Sequence, residues 1–199
     1  MKDIFLVNDP DDYLVLINKY NALSSTYIPY DLELINSIYS ENKKYLRKKA
    51  RIAFEKMALD AKQIDLNIIA ISTYRSYDYQ DKLYNNYVKE KGLEYANLCS
   101  AKAGCSEHQL GLAVDIADKS LDYDNFDKTK EFVWIKNNAY KYGFILRYPI
   151  DKVNITGYKY EPWHYRYIDS VYLAKYLLDN NLTLEEYKKR GSMSSSVGG

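Results

Sequence analysis

The two histidines of this 199-residue chain each lie in a short string of small, acidic and aromatic residues. His108 belongs to the string Gly104–Asp115, and His164 closes the string Glu161–His164. Two imidazoles and one carboxylate are a common set of protein ligands for a catalytic zinc, which keeps a fourth position for water. A fold that uses the histidines in this way must bring His108, Asp115 and His164 together from distant parts of the chain.

Chain length and net charge limit the classes of protein to which this sequence can belong. The chain is long enough for one domain with a real core, which we place at residues 1–190, followed by a flexible Gly/Ser-rich tail at 191–199. The net charge of +1 gives no electrostatic footprint for nucleic acid. No apolar run approaches the ~20 residues of a membrane span, and the N-terminal apolar run is too short for a signal peptide. We therefore expect a cytoplasmic protein without a membrane segment or a nucleic-acid partner.

Hydrophobic periodicity predicts a mixture of helices and short strands. Strands are predicted at Tyr13–Ile17, Asn67–Ser72, Leu112–Ile116, Phe144–Leu146 and Trp163–Ile168. Helices are predicted from an N-cap at Ser40 to about Ala61, at Asp78–Lys91, at Lys128–Tyr142, from a cap at Asp169 to about Leu178, and after a Thr183/Glu186 capping box. The elements follow no regular βαβ rhythm. The predicted fold class is therefore α+β, with a small, mainly antiparallel sheet and helices packed around it.

The surroundings of the candidate ligands are consistent with a metal centre. Gly111 breaks the backbone after His108, and alternation along the strand that follows separates Asp115 from its apolar neighbours. Glu161 lies three residues before His164, where a non-ligand carboxylate could take a proton from an attacking water and pass it to a leaving amine. A buried structural role is the simpler interpretation of either histidine alone. The occurrence of both in such strings favours a metal site.

The combined motifs resemble a known family of enzymes. The pattern Ser106-x-His108-x-x-Gly111-x-Ala113-x-Asp115, followed by Glu161-x-Trp163-His164, is similar to that of the zinc D-alanyl-D-alanine peptidases of the VanX, VanY and VanXY type. The strings Tyr74-Arg75-Ser76-x-x-x-Gln80 and Tyr142–Pro149 fit the same family. The resemblance extends over roughly residues 13–188 and implies the fold that these peptidases share with lysostaphin and sonic hedgehog.

The resemblance also implies a role for each residue of the candidate metal centre. His108, Asp115 and His164 would hold a zinc ion as the cofactor. Glu161 would act as the general base and then as the general acid.

Three further residues have implied roles toward the substrate. Arg75 would stabilise the developing oxyanion, which a fixed guanidinium does well in a water-poor site. Ser106 would contact the terminal carboxylate of the substrate, and Gln80 would hold the peptide backbone.

The function that the resemblance implies is hydrolysis of terminal D-Ala from D-Ala-D-Ala-ending peptidoglycan precursors, as a D,D-carboxypeptidase or D,D-dipeptidase. Such an activity contributes to glycopeptide resistance, and the expected cytoplasmic location favours a VanXY-like role. Two alternatives stay open: an L,D-carboxypeptidase that trims tetrapeptides, and a zinc-binding module without turnover. A phage endolysin is disfavoured because the chain contains no cell-wall-binding segment. Neither the preferred peptide length nor the oligomeric state is predicted by the sequence.

Overall fold

A computed structural model describes residues 3–195 of the chain, and its side chains from Asp3 to Gly191. The strands in this range are β1 Phe5–Leu6, β2 Asn21–Ala22, β3 Leu32–Leu34, β4 Tyr45–Arg47, β5 Ile69–Ser72, β6 Ala113–Ala117, β7 Phe144–Leu146 and β8 His164–Tyr167. The α-helices are α1 Lys48–Lys62, α2 Tyr77–Lys91, α3 Leu93–Cys99, α4 Lys130–Asn138, α5 Val153–Thr156, α6 Val171–Asp179 and α7 Leu184–Ser195.

Four of the strands form the central sheet, in the order β5-β6-β8-β7, with every pair antiparallel. Two small sheets, the parallel pair β1/β2 and the antiparallel pair β3/β4, lie apart from it. The predicted α+β class with a mainly antiparallel sheet is confirmed. In the register of the sheet, Asp115 lies opposite both Ser72 and His164, so that an acidic side chain and an imidazole meet across two neighbouring strands.

The main core lies between the central sheet and α1. This helix turns one apolar face inward at helical spacing, formed by Ala50, Phe54, Met57, Ala58 and Ala61. Each large apolar side chain removed from water in this way stabilises the fold by about 1.5–3 kcal/mol. A second cluster forms where α6 and the start of α7 pack on the sheet, and it contains Ile145, Ile168, Leu173, Ala174, Leu177 and Leu184.

The predicted start of the long helix at Ser40 is wrong. Helix α1 begins at Lys48, and the residues before it form strand β4, which pairs with β3. Leu46 and Arg47 are buried in that strand, whereas Ser40 forms an isolated bridge to Ala70. The helical spacing of apolar residues continues back to Leu46. The backbone there is paired with β3, so it is a strand and not a helix.

The predicted strand at Tyr13–Ile17 is also wrong, since the structure assigns no strand to these residues. The apolar side chains of Val15 and Ile17 are buried as expected. The carbonyl oxygens of Tyr13 and Val15, however, accept hydrogen bonds from the guanidinium of Arg166 at 3.0 Å. The guanidinium of Arg166 therefore binds carbonyl oxygens that a neighbouring strand would bind if this segment were a strand.

The C-terminal helices mostly follow the predictions. Ser170, and not Asp169, caps α6 through its side chain, whereas the Thr183/Glu186 capping box is confirmed by hydrogen bonds in both directions. Residues 191–195 of the predicted tail belong to α7, and residues 196–199 lie outside the described residues. Within residues 3–195, no helix combines the length and apolarity that crossing a membrane requires.

Gly111 provides a test of this architecture. It adopts the left-handed conformation (φ 65°) that turns the chain from the His108 turn into β6, and a Cβ there would lie 2.7 Å from Leu32 Cδ2. We expect Gly111→Ala to lower the free energy of unfolding by about 1–2 kcal/mol for the left-handed backbone and by about 1–3 kcal/mol for the clash. Urea unfolding followed by circular dichroism measures the loss.

Gly157→Ala is the matched control. Gly157 is also left-handed (φ 77°), but a Cβ there would come no closer than 3.0 Å to another atom, Cε of Lys19. Only the backbone contribution is therefore expected in this variant. Equal losses in the two variants would show that the packing around Gly111 is looser than described.

Candidate metal centre

Three elements bring the candidate ligands together. His108 lies in a 3-10 turn, Glu107–Leu110, while Asp115 lies in β6 and His164 is the first residue of β8. All three side chains are buried, and their ligand atoms lie within 4.8 Å of one another. Asp115 Oδ2 is 3.3 Å from His108 Nε2, and Asp115 Oδ1 is 3.0 Å from His164 Nδ1. Among the described residues, this is the one such cluster of His, Cys, Asp and Glu side chains.

The donor set fits a zinc ion. Two imidazole nitrogens and one carboxylate oxygen are the ligands of many catalytic zinc sites. Asp115 Oδ1 is buried and accepts no hydrogen bond, although His164 Nδ1 lies 3.0 Å away. An unpaired buried carboxylate oxygen is costly unless a cation or a donor faces it. His108, Asp115 and His164 therefore fit a zinc ion.

The ring of His108 is oriented by the end of β5. Its Nδ1 lies 2.7 Å from the carbonyl oxygen of Thr73, which can only accept, so Nδ1 carries the proton and Nε2 presents its lone pair. Burial, together with the nearby Arg75 cation, lowers the pKa of His108 to about 4. The imidazole is therefore neutral at pH 7, as a metal ligand must be.

Asp115 and His164 form a strongly coupled pair. Burial alone would raise the pKa of Asp115, but the two histidines hold it well below its usual range. Burial acts to lower the pKa of His164, but the carboxylates of Asp115, Glu107 and Glu161 around the ring outweigh it and raise the pKa to about 9. Arg75, His108 and His164 thus surround the carboxylate of Asp115.

Glu161 stands beside the candidate ligands. Its Oε2 lies 3.7 Å from His164 Nδ1, and the side chain lines the same cavity. Burial raises the pKa of Glu161 to about 7. A carboxylate with a pKa near neutrality is suited to take up a proton and release it again, and such groups cluster at functional sites.

Arg75 is held in place by three side chains. Its guanidinium donates to Asp115 Oδ2 at 2.9 Å, to Ser72 Oγ at 2.9 Å and to Gln80 Oε1 at 3.3 Å. The amide nitrogen of Gln80 in turn donates to Ser100 Oγ and to the carbonyl oxygen of Ala101. Gln80 is 1% exposed, so in this structure its amide positions Arg75 and does not face open solvent.

A cavity of about 750 Å³ connects the predicted site residues. It is lined by Arg75, Gln80, Ser106, His108, Asp115, Glu161 and His164, which are all seven residues predicted from the sequence. Ser106 caps the 3-10 turn by accepting a hydrogen bond from the backbone N–H of His108 at 3.3 Å. The size of the cavity fits a peptide of a few residues.

Glu107 is the residue that the sequence pattern misses. It occupies a variable position between Ser106 and His108 in the motif, yet its side chain is fully buried and contacts His164. The only local signal is an acidic residue directly before a candidate metal ligand. The arginines that pair with it, Arg147 and Arg166, lie far away in the sequence.

The small antiparallel sheet and a buried His/Asp/His cluster beside a carboxylate are compatible with a hydrolytic metal centre. A family model described as VanY, D-alanyl-D-alanine carboxypeptidase, matches residues 43–170, and the chain belongs to this family of peptidases.

Three curated relatives extend the match. YodJ of Bacillus subtilis, provisionally named a carboxypeptidase, is 43% identical over 91% of this chain and 68% of its own length. The bifunctional D-Ala-D-Ala dipeptidase and carboxypeptidase VanXYC of Enterococcus gallinarum is 35% identical over 87% of this chain and 92% of its own length. The chain also spans 62% of a 36% identical D-alanyl-D-alanine carboxypeptidase of Enterococcus faecium, so that longer relatives occur in the family.

Solved structures share the fold. The LD-carboxypeptidase LdcB superposes with a TM-score of 0.86 at 42% identity, covering 94% of this chain and 90% of that one. VanYB in complex with D-alanine-D-alanine gives a TM-score of 0.75 at 33% identity, covering 89% and 97%. A VanY variant in complex with Zn(II) gives 0.74 at 33% identity, covering 88% and 98%.

The candidate metal centre predicts a linkage between zinc and stability. We expect zinc added to chelator-treated protein to stabilise the fold by about 4 kcal/mol at a free concentration about 1,000 times Kd. For a chain of this length, that is a rise of roughly 10 °C in the unfolding temperature. In Asp115→Asn, which keeps the shape but removes the anionic ligand, the rise should be strongly reduced.

Differential scanning calorimetry with and without zinc measures the shift. Asp179→Asn is the control, since it removes an exposed carboxylate at the end of α6 and should keep the wild-type shift. A full shift in Asp115→Asn would place the metal elsewhere.

Proposed function

We propose that this chain is a zinc-dependent carboxypeptidase that removes the terminal D-alanine from peptidoglycan stem peptides. The observation that carries the proposal is the meeting of His108, Asp115 and His164 with Glu161 and Arg75 at one cavity in a chain of the VanY family. The zinc site is supported by the donor set and by the VanY structure that contains Zn(II).

Zinc, when bound by His108, Asp115 and His164, would supply Lewis acidity that polarises a carbonyl and makes water more acidic. Glu161, with its pKa near neutrality, accepts a proton from the attacking water and returns it to the leaving amine. The two transfers require a carboxylate at the cavity wall, which is where Glu161 lies.

Arg75 and Ser106 act on the substrate. The guanidinium of Arg75 stabilises negative charge that develops on the carbonyl oxygen, and Gln80 and Ser72 fix its position beforehand. Ser106 offers a hydroxyl to the terminal carboxylate of the peptide. Both side chains line the same cavity, which supports these two roles.

Two classes of substrate, D,D-peptides and L,D-peptides, are candidates for this cavity. The family description and VanXYC favour cleavage after D-Ala, with dipeptidase activity on free D-Ala-D-Ala as an extension. The higher identity and TM-score of LdcB favour L,D-carboxypeptidase activity on tetrapeptides as the second candidate. A cytoplasmic location is predicted from the sequence, and a role in glycopeptide resistance is predicted from the family resemblance.

Three substrates side by side separate these candidates: D-Ala-D-Ala, a pentapeptide ending in D-Ala-D-Ala, and a tetrapeptide ending in L-Lys-D-Ala or meso-diaminopimelate-D-Ala. We expect release of D-alanine from the pentapeptide, abolished by a chelator and restored by zinc. Release from the tetrapeptide alone would establish the L,D-carboxypeptidase. The absence of hydrolysis of any substrate by zinc-loaded protein would contradict the proposed activity and favour the zinc-binding module.

Glu161→Gln tests the proposed proton carrier. The amide keeps the size of the side chain but cannot accept the proton, so we expect kcat to fall by about 10²–10⁴ while one zinc stays bound. Steady-state kinetics and metal analysis of the same preparation measure both quantities. Glu94→Gln, on the exposed face of α3, is the control and should keep wild-type turnover. Loss of zinc from Glu161→Gln would make Glu161 a ligand and overturn the assignment.

A further inference from the structure

We propose that Glu107 is a positioning residue for the metal centre: its buried carboxylate accepts the Nε2–H of His164 and thereby turns Nδ1 of that ring toward the metal. The inference rests on the proposed zinc site. It adds a residue that the motif leaves variable and that does not touch the substrate in the proposed mechanism.

Two buried polar atoms face each other at this point. Glu107 Oε2 and His164 Nε2 are 3.5 Å apart, and neither has any other hydrogen-bond partner. That separation is longer than an ordinary hydrogen bond. Because each atom would otherwise stay unsatisfied in the interior, a small rotation that closes the gap satisfies both. The Nδ1 of the same ring already lies on the side of Asp115.

The carboxylate of Glu107 is fixed from the opposite side. Its Oε1 accepts hydrogen bonds from Arg147 Nε and Arg166 Nη1, each at 2.8 Å. These two guanidinium groups supply the positive charge that a buried carboxylate requires. One oxygen is thus saturated by two cations, and the other is directed to His164 alone.

Both arginines are anchored in turn. Arg166 donates to the carbonyl oxygens of Tyr13 and Val15, and Arg147 makes a bidentate pair with Glu185 of α7 at 2.7 and 2.8 Å. The N-terminal segment and the last helix therefore meet behind the metal centre. Buried ion pairs contribute little net stability compared with apolar packing, because desolvation offsets their attraction. A role in holding a ligand explains why Glu107 is placed there.

Orientation of a ligating histidine by a carboxylate has a known physical effect. It fixes which nitrogen carries the proton and makes the other nitrogen a stronger donor, and removal of such a partner typically weakens metal affinity 10–100-fold. Thr73 provides the corresponding contact for His108 through its carbonyl oxygen. Glu107 would therefore complete a set in which both histidines have a partner on the side away from the metal.

A pair of variants separates positioning from general stability. Glu107→Gln removes the charge next to His164, whereas Glu185→Gln weakens the same buried network on the other side of Arg147 without contact to a histidine. Zinc affinity is measured by competition with a chromophoric chelator, and the geometry of the site by the visible absorption of the cobalt(II)-loaded protein. Urea unfolding of the metal-free variants records the loss of stability.

The expected result is zinc affinity about 10–100-fold weaker in Glu107→Gln, with a changed cobalt spectrum. Glu185→Gln is expected to lose stability but to keep the wild-type affinity and spectrum. Wild-type affinity in Glu107→Gln would overturn the inference, and so would an equal loss in both variants. A wild-type protein that binds no zinc would instead remove the proposed metal site itself, which distinguishes the two failures.

Should Glu107→Gln fail to fold, the wild-type protein still provides a test. The chain has only two histidines, so ring nitrogens are readily assigned by ¹⁵N NMR of the zinc-loaded protein. We expect a slowly exchanging proton on Nε2 of His164 and another on Nδ1 of His108. Zinc bound through Nε2 of His164, or a rapidly exchanging proton there, would overturn the inference.

Discussion

The register between β6 and β8 is the constraint on which the rest of the site depends. Asp115 lies directly opposite His164 in this antiparallel pair, and Ser72 at the end of β5 lies on the other side. A slip of one residue would turn Asp115 to the opposite face of the sheet and separate it from the imidazole. The same sheet also orients the third ligand, His108. Thr73, the residue after β5, accepts a hydrogen bond from its ring.

Buried charge beside the ligands, on their side of the sheet, supports this geometry. Arg147, Arg166 and Glu107 are at most 1% exposed, and they connect the ligand turn to the segment Tyr13–Val15 and to Glu185 of α7. Such groups require partners of opposite charge and complete hydrogen bonding in the interior. The turn of His108 is held as well by the backbone of Arg47, whose N–H donates to the carbonyl oxygen of Gly111. The ligands are therefore fixed by the fold before any metal binds.

Much of this could be predicted from the sequence, because β5, β6 and β7 lie in short apolar runs and both histidines lie in distinctive strings. The structure brings them together with Asp115 in one buried cluster. The start of α1 could not be predicted, since helical spacing does not reveal that β3 would pair with the preceding residues. Glu107 was missed for a related reason: its partners, Arg147 and Arg166, are distant in sequence.

The central claim is that His108, Asp115 and His164 together hold one zinc ion at the end of the sheet. The most direct measurement is an anomalous difference map from crystals of the zinc-loaded protein, recorded at the zinc absorption edge. The account predicts one strong peak about 2.0–2.2 Å from His108 Nε2, a carboxylate oxygen of Asp115 and His164 Nδ1. A peak that lies elsewhere, or one that has Glu161 in place of any of these three ligands, would contradict it.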